Sequence, residues 1–112
     1  LMLMAKNNVE NSIARITQMA RAVGIHCIVT THLPSVDVIT DEIKTSIPAR
    51  IAFLVAAMVD SQTILDDAGA EKLLGKGDML FRLPGTLNLS RVQGCLVTDE
   101  EIARMLVVVK SQ

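Results

Sequence analysis

The chain has 112 residues, half of them hydrophobic, and a formal net charge of −1 at pH 7. This length suits one small domain, and the apolar content is ample for a core. The near-zero charge excludes a bulk electrostatic footprint for nucleic acid or membrane, so any basic site must be local. No apolar run reaches the roughly 20 residues that a membrane-spanning helix needs.

The first half of the chain predicts a helix followed by a strand. Residues 8–23 have helical apolar spacing, and Gly24 is placed to end that helix. Residues 25–29 form a mostly β-branched apolar run, which is typical of a central parallel strand buried on both faces. Pro34 requires this strand to end near His32. Because ligands bind at the carboxyl ends of such strands, residues 30–32 are expected at a ligand-binding edge.

Four side chains in or near predicted strands could have a purely structural role. His26 is interpreted as a structural residue packed in or beside a strand. His32 stays open between a structural residue and a functional polar contact. The two cysteines, Cys27 and Cys95, are predicted to be buried free thiols in strands rather than a disulfide.

The remaining chain predicts short elements in alternation. Thr40 is expected to cap a helix over 41–46, and residues 50–55 predict a second buried, parallel strand. A further helix is expected to end at 65, with Asp60 or Ser61 as its cap. Next come a helical turn over 69–74 and a tight turn at 75–78. The strands that follow, over 79–83 and 89–97, are predicted to pair as a hairpin. Thr98 has capping-box spacing to Glu101 and predicts a terminal helix.

Familiar catalytic patterns are missing from the sequence. The His and Cys residues lack metal-ligand spacing, and no hydrolytic constellation is convincing. There is no G-x-x-x-x-G-K-[ST] phosphate loop. The glycine-rich residues 75–78 precede a strand instead of opening a helix, so a tight turn is favoured over a phosphate cradle.

Four blocks of sequence are more specific than these patterns. They follow one another along the chain as residues 31–40 (THLPSVDVIT), 47–53 (IPARIAF), 60–66 (DSQTILD) and 69–80 (GAEKLLGKGDML). Together with Gly24-Ile25-His26, the series resembles the FtsK/SpoIIIE family of DNA translocases, in family order and over nearly the whole chain.

The resemblance implies a fold and a function. It implies a partial RecA-like P-loop NTPase fold of the α/β class, with a mostly parallel sheet, a C-terminal β-hairpin and a terminal helix. Residues 1–112 are expected to be the C-terminal portion of a motor domain, without its Walker A and Walker B segments. The family's motors are hexamers that use ATP and Mg²⁺ to move double-stranded DNA in chromosome segregation and cell division. We expect a cytoplasmic motor domain, with membrane contact only through an N-terminal region outside this chain.

The resemblance also implies roles for single residues. Arg50 matches an arginine finger supplied to the ATP of a neighbouring subunit. His32 stands at a sensor position where the family usually has glutamine, and Leu33 replaces a family arginine. The expected DNA contacts, all to phosphate, are Gln62, Lys72, Lys76 and Arg91. Gln62 replaces an arginine of many members and brings no charge.

Two hypotheses of different classes follow. The leading one is part of an ATP-driven DNA translocase. ATP and Mg²⁺ are expected in the intact motor, whereas this chain alone is expected to bind no cofactor and to be inactive, because it lacks the phosphate loop. The alternative is a non-catalytic degenerate remnant or interaction module of the same fold. The substitutions at His32, Leu33 and Gln62 favour that alternative.

Overall fold

The computed structural model of the protein describes residues 6–111. The interpretation of residues 1–4 as the end of a segment that follows Walker B lies outside the described residues. The helices are α1 (Lys6–Ala20), α2 (Asp41–Ser46), α3 (Met58–Leu65) and α4 (Asp99–Lys110), and the strands are β1 (Arg50–Phe53), β2 (Asp78–Arg82) and β3 (Leu89–Gln93). Short 3₁₀ turns occupy Arg21–Val23 and Ala70–Lys72. Among residues 6–111, no helix has the length and apolar character needed to cross a membrane.

The three strands form one antiparallel sheet in the order β1-β2-β3. Arg50 lies opposite Arg82 in the β1–β2 pair, and Asp78 lies opposite Gln93 in the β2–β3 pair. The α/β class is confirmed, but the prediction of a parallel strand over 50–55 is wrong. An apolar run gives no direction of pairing, and within residues 6–111 β1 pairs on one edge only. Ala52 is buried on one face of β1, whereas Ile51 and Phe53 lie on the other face and are about half exposed (51% and 56%).

The predicted central strand over 25–29 is also wrong for the described chain. These residues run as irregular, exposed backbone, and Ile28 is 89% exposed. A strand needs a neighbour to pair with its N–H and C=O groups, and no described strand lies beside this segment. The cysteines are free, as predicted, but both are exposed rather than buried. Cys27 lies in this irregular segment, and Cys95 lies beyond the end of β3, which stops at Gln93 and not at 97 as predicted. His26 is likewise exposed and is not packed in a strand.

Helix ends that depend on local signals were predicted correctly. Gly24 ends the first helical segment with a left-handed φ of 72°. Thr40 caps α2 by accepting a hydrogen bond from the Ile43 N–H (3.3 Å). Thr98 and Glu101 form the expected capping box at α4. The cap of α3 differs, because the helix begins at Met58 and Asp60 acts from its first turn.

A small aliphatic core lies between α3 and the sheet. Its buried members come from β1, α3 and the segment after α3, namely Ala52, Leu65, Ala70 and Leu73. Val55, Ile64, Leu80 and Leu89 pack around them. Because Leu65 is the last residue of α3 and is fully buried, the core fixes the C-terminal end of α3 against the ends of β1 and β2.

Candidate functional site

The first candidate site is built around Arg50, at the start of β1 and behind Pro48. Its guanidinium donates to the Asp66 carboxylate, to the Ile64 carbonyl (3.5 Å) and to the Lys44 carbonyl (3.4 Å). The Arg50 Nε is buried and has no hydrogen-bond partner in the described chain. The side chain is only 17% exposed. Arg50 is thus held in place at the ends of two helices, α2 and α3.

Asp66 brings three cations together in what we call the Asp66 cluster: Lys44, Arg50, Arg82 and Asp66. Its carboxylate accepts a hydrogen bond from Lys44 Nζ at 2.7 Å, pairs with Arg50, and lies 3.9 Å from Arg82 Nη1. Arg82 also donates to the Leu65 carbonyl. Partial burial raises the pKa of Asp66, but the hydrogen bonds and charges of Lys44 and Arg50 outweigh this, and the pKa lies below its ordinary value.

The Asp66 cluster has an excess of positive charge. It holds three cations and one carboxylate, so its formal charge is +2. The three cationic side chains are 15–18% exposed, whereas that of Asp66 is 45% exposed. Because partly buried cations are screened less than surface ones, the cluster suits binding of a further anion.

His32 lies apart from this cluster in the interactions of the described chain. It is exposed, in the irregular segment that follows residues 25–29, and no hydrogen bond or ion pair of residues 6–111 joins it to Arg50. The neighbouring Thr31 folds the segment locally by accepting the Leu33 N–H at 3.1 Å. Within the described chain, His32 and Arg50, the two residues predicted to be catalytic, therefore make no contact with each other.

The four residues predicted to contact DNA are all exposed. Among the described residues, a hydrogen bond between the turn that carries Lys76 and the strand that carries Arg91 connects two of these positions. Gln62 lies on α3, and Lys72 ends the 3₁₀ turn that follows. Lys76 lies at the tip of the turn before β2 and has a left-handed φ of 53°. The Lys76 carbonyl accepts a hydrogen bond from Gln93 Nε2 at 3.1 Å. This contact links the turn to β3, which carries Arg91.

Arg91 is held by Asp78. Its Nε and Nη2 donate to the two carboxylate oxygens of Asp78 at 3.0 and 2.7 Å, and the Leu74 N–H donates to the same carboxylate at 2.8 Å. The Asp78 side chain is 4% exposed and that of Arg91 is 56% exposed. The hydrogen bonds from Arg91 and Leu74 lower the pKa of Asp78 to about 2. This fork uses two of the five N–H groups of Arg91, and leaves those of Nη1 and the second N–H of Nη2 for a phosphate.

Two glycines cross closely beside this ion pair. The Gly94 N–H donates to the Gly77 carbonyl at 2.7 Å. A Cβ added to Gly77, whose φ is 94°, would lie 2.6 Å from the Gly94 oxygen. We call this contact the glycine crossing. Its hydrogen bond joins the turn over 75–78 to the residue that follows β3.

We expect the Asp78–Arg91 pair to stabilise the fold in a pH-dependent way. A carboxyl group whose pKa is lowered by folding stabilises the protein above its ordinary pKa, near 4, and that contribution is lost as the pH falls towards 2. Asp78→Asn should therefore lower the melting temperature by roughly 5 °C at pH 7. The difference from the wild type should narrow between pH 4 and pH 2.

Circular dichroism melts of the 112-residue chain across that pH range measure this difference. Arg91→Gln, which removes the other partner, should also lower the melting temperature at pH 7. A gap between wild type and Asp78→Asn that stays constant down to pH 2 would contradict the assignment.

Sequence reasoning missed the acidic partners of both arginines. Asp66 and Asp78 were part of recognised blocks, but no local pattern shows that Asp66 meets residues 16 and 22 positions earlier in the chain. A weak signal exists for Asp66, because aspartate tolerates the left-handed conformation that follows a helix, and its φ is 56°. No comparable signal in the sequence predicts that Lys44 and Arg82 belong to the Asp66 cluster.

A solved structure defines the class of fold. The chain superposes on the pCW3 conjugation coupling protein TcpA, in a monomer form solved with ATPγS, with a TM-score of 0.74 and 26% sequence identity. The match covers 91% of this chain and 29% of TcpA. The chain therefore shares its α/β fold with part of TcpA. No family model matches the chain.

Curated relatives are similar over all or nearly all of the chain. DNA translocase SftA of Bacillus subtilis (strain 168) is 61% identical over 112 residues, which is 100% of this chain and 12% of SftA. DNA translocase FtsK of Oceanobacillus iheyensis is 58% identical over 106 residues (95% of this chain, 14% of FtsK). DNA translocase SpoIIIE of Bacillus subtilis is 56% identical over 106 residues, again 95% of this chain and 14% of that protein. The chain belongs to the FtsK/SpoIIIE family of DNA translocases and spans about one seventh or less of these relatives.

Proposed function

We propose that the chain is the C-terminal portion of the RecA-like motor domain of an ATP-driven translocase of double-stranded DNA. The observation that carries this proposal is the identity of 56–61% to three DNA translocases over 95–100% of the chain. In the proposed assembly the motor is a hexamer that acts in chromosome segregation and cell division. We assign contact of the motor with the membrane to an N-terminal region outside these residues.

The Asp66 cluster fits a polyphosphate ligand. Its formal charge of +2 suits a nucleotide phosphate, and an arginine can grip phosphate oxygens in a fork. ATP supplies a terminal phosphoryl group that is transferred to water, with negative charge spread over its oxygens. Arg50 is assigned the stabilisation of that charge on the ATP bound by a neighbouring subunit. His32 is assigned a sensor position that hydrogen-bonds toward the nucleotide.

We assign the ligands of Mg²⁺ to the Walker segments, which these 112 residues do not contain. Within residues 6–111 no group of three or more His, Cys, Asp or Glu side chains is arranged to hold a metal ion. The contribution of this chain to the reaction therefore consists of charge and hydrogen bonds supplied by its own side chains.

The DNA contacts of the proposed motor are assigned to Gln62, Lys72, Lys76 and Arg91, all of which are exposed. Contacts of this kind go to phosphates and read no sequence, which suits a motor that moves any duplex. Arg91 shares its charge with Asp78, Gln62 brings none, and the charge of Lys72 also acts on the neighbouring Glu71. Each phosphate-pairing charge changes the salt slope of binding by about one.

A chimera tests the proposed function. The 112 matched residues of Bacillus subtilis SftA are replaced with this chain, which is 61% identical to them. We expect the chimera to hydrolyse ATP with Mg²⁺ in a DNA-stimulated manner and to displace a triplex-forming strand from duplex DNA, within about 10-fold of SftA itself. SftA purified in parallel is the control. A chimera that assembles and binds DNA but hydrolyses no ATP would support the alternative of a degenerate interaction module.

A further inference from the structure

Two arginines lie directly opposite each other in the sheet. Arg50 of β1 is the register partner of Arg82 of β2. Like charges in directly opposed positions of an antiparallel pair repel each other and destabilise the pair. Both guanidinium groups are mostly buried, with 17% and 18% of the side chains exposed, so solvent relieves little of this repulsion. A nearby anion is therefore required to keep Arg50 in its observed place.

Asp66 is that anion, and its own position is fixed by the backbone. It follows the last residue of α3 with φ 56° and ψ 21°, and its N–H donates to the Gln62 carbonyl at 2.8 Å. This left-handed turn directs the carboxylate to Arg50, while Arg82 Nη1 lies 3.9 Å away. Lys44 Nζ holds the second oxygen at 2.7 Å. The carboxylate is thus restrained on both oxygens.

The remaining contacts of Arg50 are too weak to replace Asp66. Its bonds to the Ile64 and Lys44 carbonyls are 3.5 and 3.4 Å long, near the upper limit for a hydrogen bond, and Nε has no partner among residues 6–111. The ionised carboxylate is the strong partner, because charge-assisted hydrogen bonds are about twice as strong as neutral ones. Removing the carboxylate would free Arg50 to move away from Arg82.

We propose that Asp66 is a positioning residue for Arg50, and that it sets the direction in which this arginine reaches a phosphate. This inference rests on the proposed function, in which Arg50 acts on ATP. In this role Asp66 itself contacts neither the nucleotide nor the water that attacks its terminal phosphate. Its effect passes through the guanidinium that it holds.

The test uses the SftA chimera and separates kcat from KM for ATP. Asp66→Asn keeps the size of the side chain and tolerates the left-handed backbone, but it loses the charge. We expect kcat to fall by about 10-fold or more with KM changed less than about 2-fold, since misplacement of a catalytic group by about 1 Å costs up to 10²-fold. The matched control is Asp67→Asn, whose carboxylate binds only the neighbouring Ala68 N–H in the described chain. That variant should retain the kcat of the chimera.

A double-mutant cycle distinguishes positioning from a general structural role. In the Arg50→Ala background, Asp66→Asn should lower kcat by less than about 2-fold, because the group it positions is absent. Equal, independent losses in both backgrounds, or a kcat for Asp66→Asn that is unchanged or raised, would overturn the inference. If Asp66→Asn does not fold, Asp66→Gly replaces it with the same expectations, because glycine adopts a positive φ without strain.

The outcomes also separate this inference from the proposed function. If Arg50→Ala lowers kcat strongly and Asp66→Asn does not, only the role of Asp66 is overturned. If Arg50→Ala leaves kcat unchanged, the trans arginine and the role of Asp66 are both overturned.

Discussion

Arg50→Ala is expected to lower the kcat of DNA-stimulated ATP hydrolysis by about 10³-fold in the SftA chimera. An arginine that stabilises the transferring phosphoryl group is worth about 10³–10⁵ in kcat. Arg50→Lys should recover only part of this loss, because an ammonium keeps the charge but not the planar fork of donors. The measurement is steady-state ATP hydrolysis at saturating DNA. Arg104→Ala, which removes an exposed arginine of α4, is the surface control.

A mixing experiment tests whether Arg50 acts on the neighbouring subunit. Arg50→Ala subunits are mixed with subunits that lack the phosphate-loop lysine of SftA but keep Arg50. Each population is inactive alone. In mixed hexamers, some sites combine an intact phosphate loop from one subunit with Arg50 from the next, so a trans arginine predicts that activity returns. No recovery in hexamers that are shown to mix would indicate that Arg50 acts within its own subunit or not at all.

Gly77→Ala is expected to lower the free energy of unfolding by about 3 kcal/mol. Two costs combine at this position. The backbone has a φ of 94°, which side chains other than glycine rarely adopt, and the new Cβ would lie 2.6 Å from the Gly94 oxygen and 3.0 Å from its carbonyl carbon. Both obstacles are backbone atoms, so a side-chain rotation cannot relieve them. Urea unfolding of the 112-residue chain measures the change.

Gly85→Ala separates these two costs. Gly85 also has a positive φ, 77°, but an added Cβ would meet nothing within 4 Å. Only the backbone cost remains, and we expect a loss of about 1 kcal/mol. Equal losses for the two alanine variants would show that the glycine crossing contributes no steric constraint.

Local signals predicted local structure. Gly24, Thr40 and Thr98 end or begin helices where the sequence indicates, because caps and left-handed turns depend on a few adjacent residues. The strand over 25–29 and the direction of β1 failed for the opposite reason. An apolar, β-branched run shows that a segment suits burial, but not which strand lies beside it. Within the described chain no strand pairs with residues 25–29, and they stay exposed.

The sequence predicted single residues of the candidate site but not their partners. Arg50 was recognised from a block of seven residues that resembles the family, and Arg91 was assigned a DNA contact from the same resemblance. Their pairing with Asp66 and Asp78 was not predicted, because each partnership depends on how α3 and the turn over 75–78 pack against the sheet. The family resemblance gave roles to single residues. The physical environment of those residues came only from the fold.

The two ends of the β2–β3 hairpin differ in how much change they tolerate. At one end, a single methyl group at residue 77 has no room. At the other, residues 83–88 between β2 and β3 are all exposed and Gly85 has open space around it. A lineage can lengthen that loop or change its charge without disturbing the core, since exposed loop tips are where insertions are accepted. Variation in length and charge among related translocases is therefore expected to accumulate in this loop, while Gly77 stays fixed.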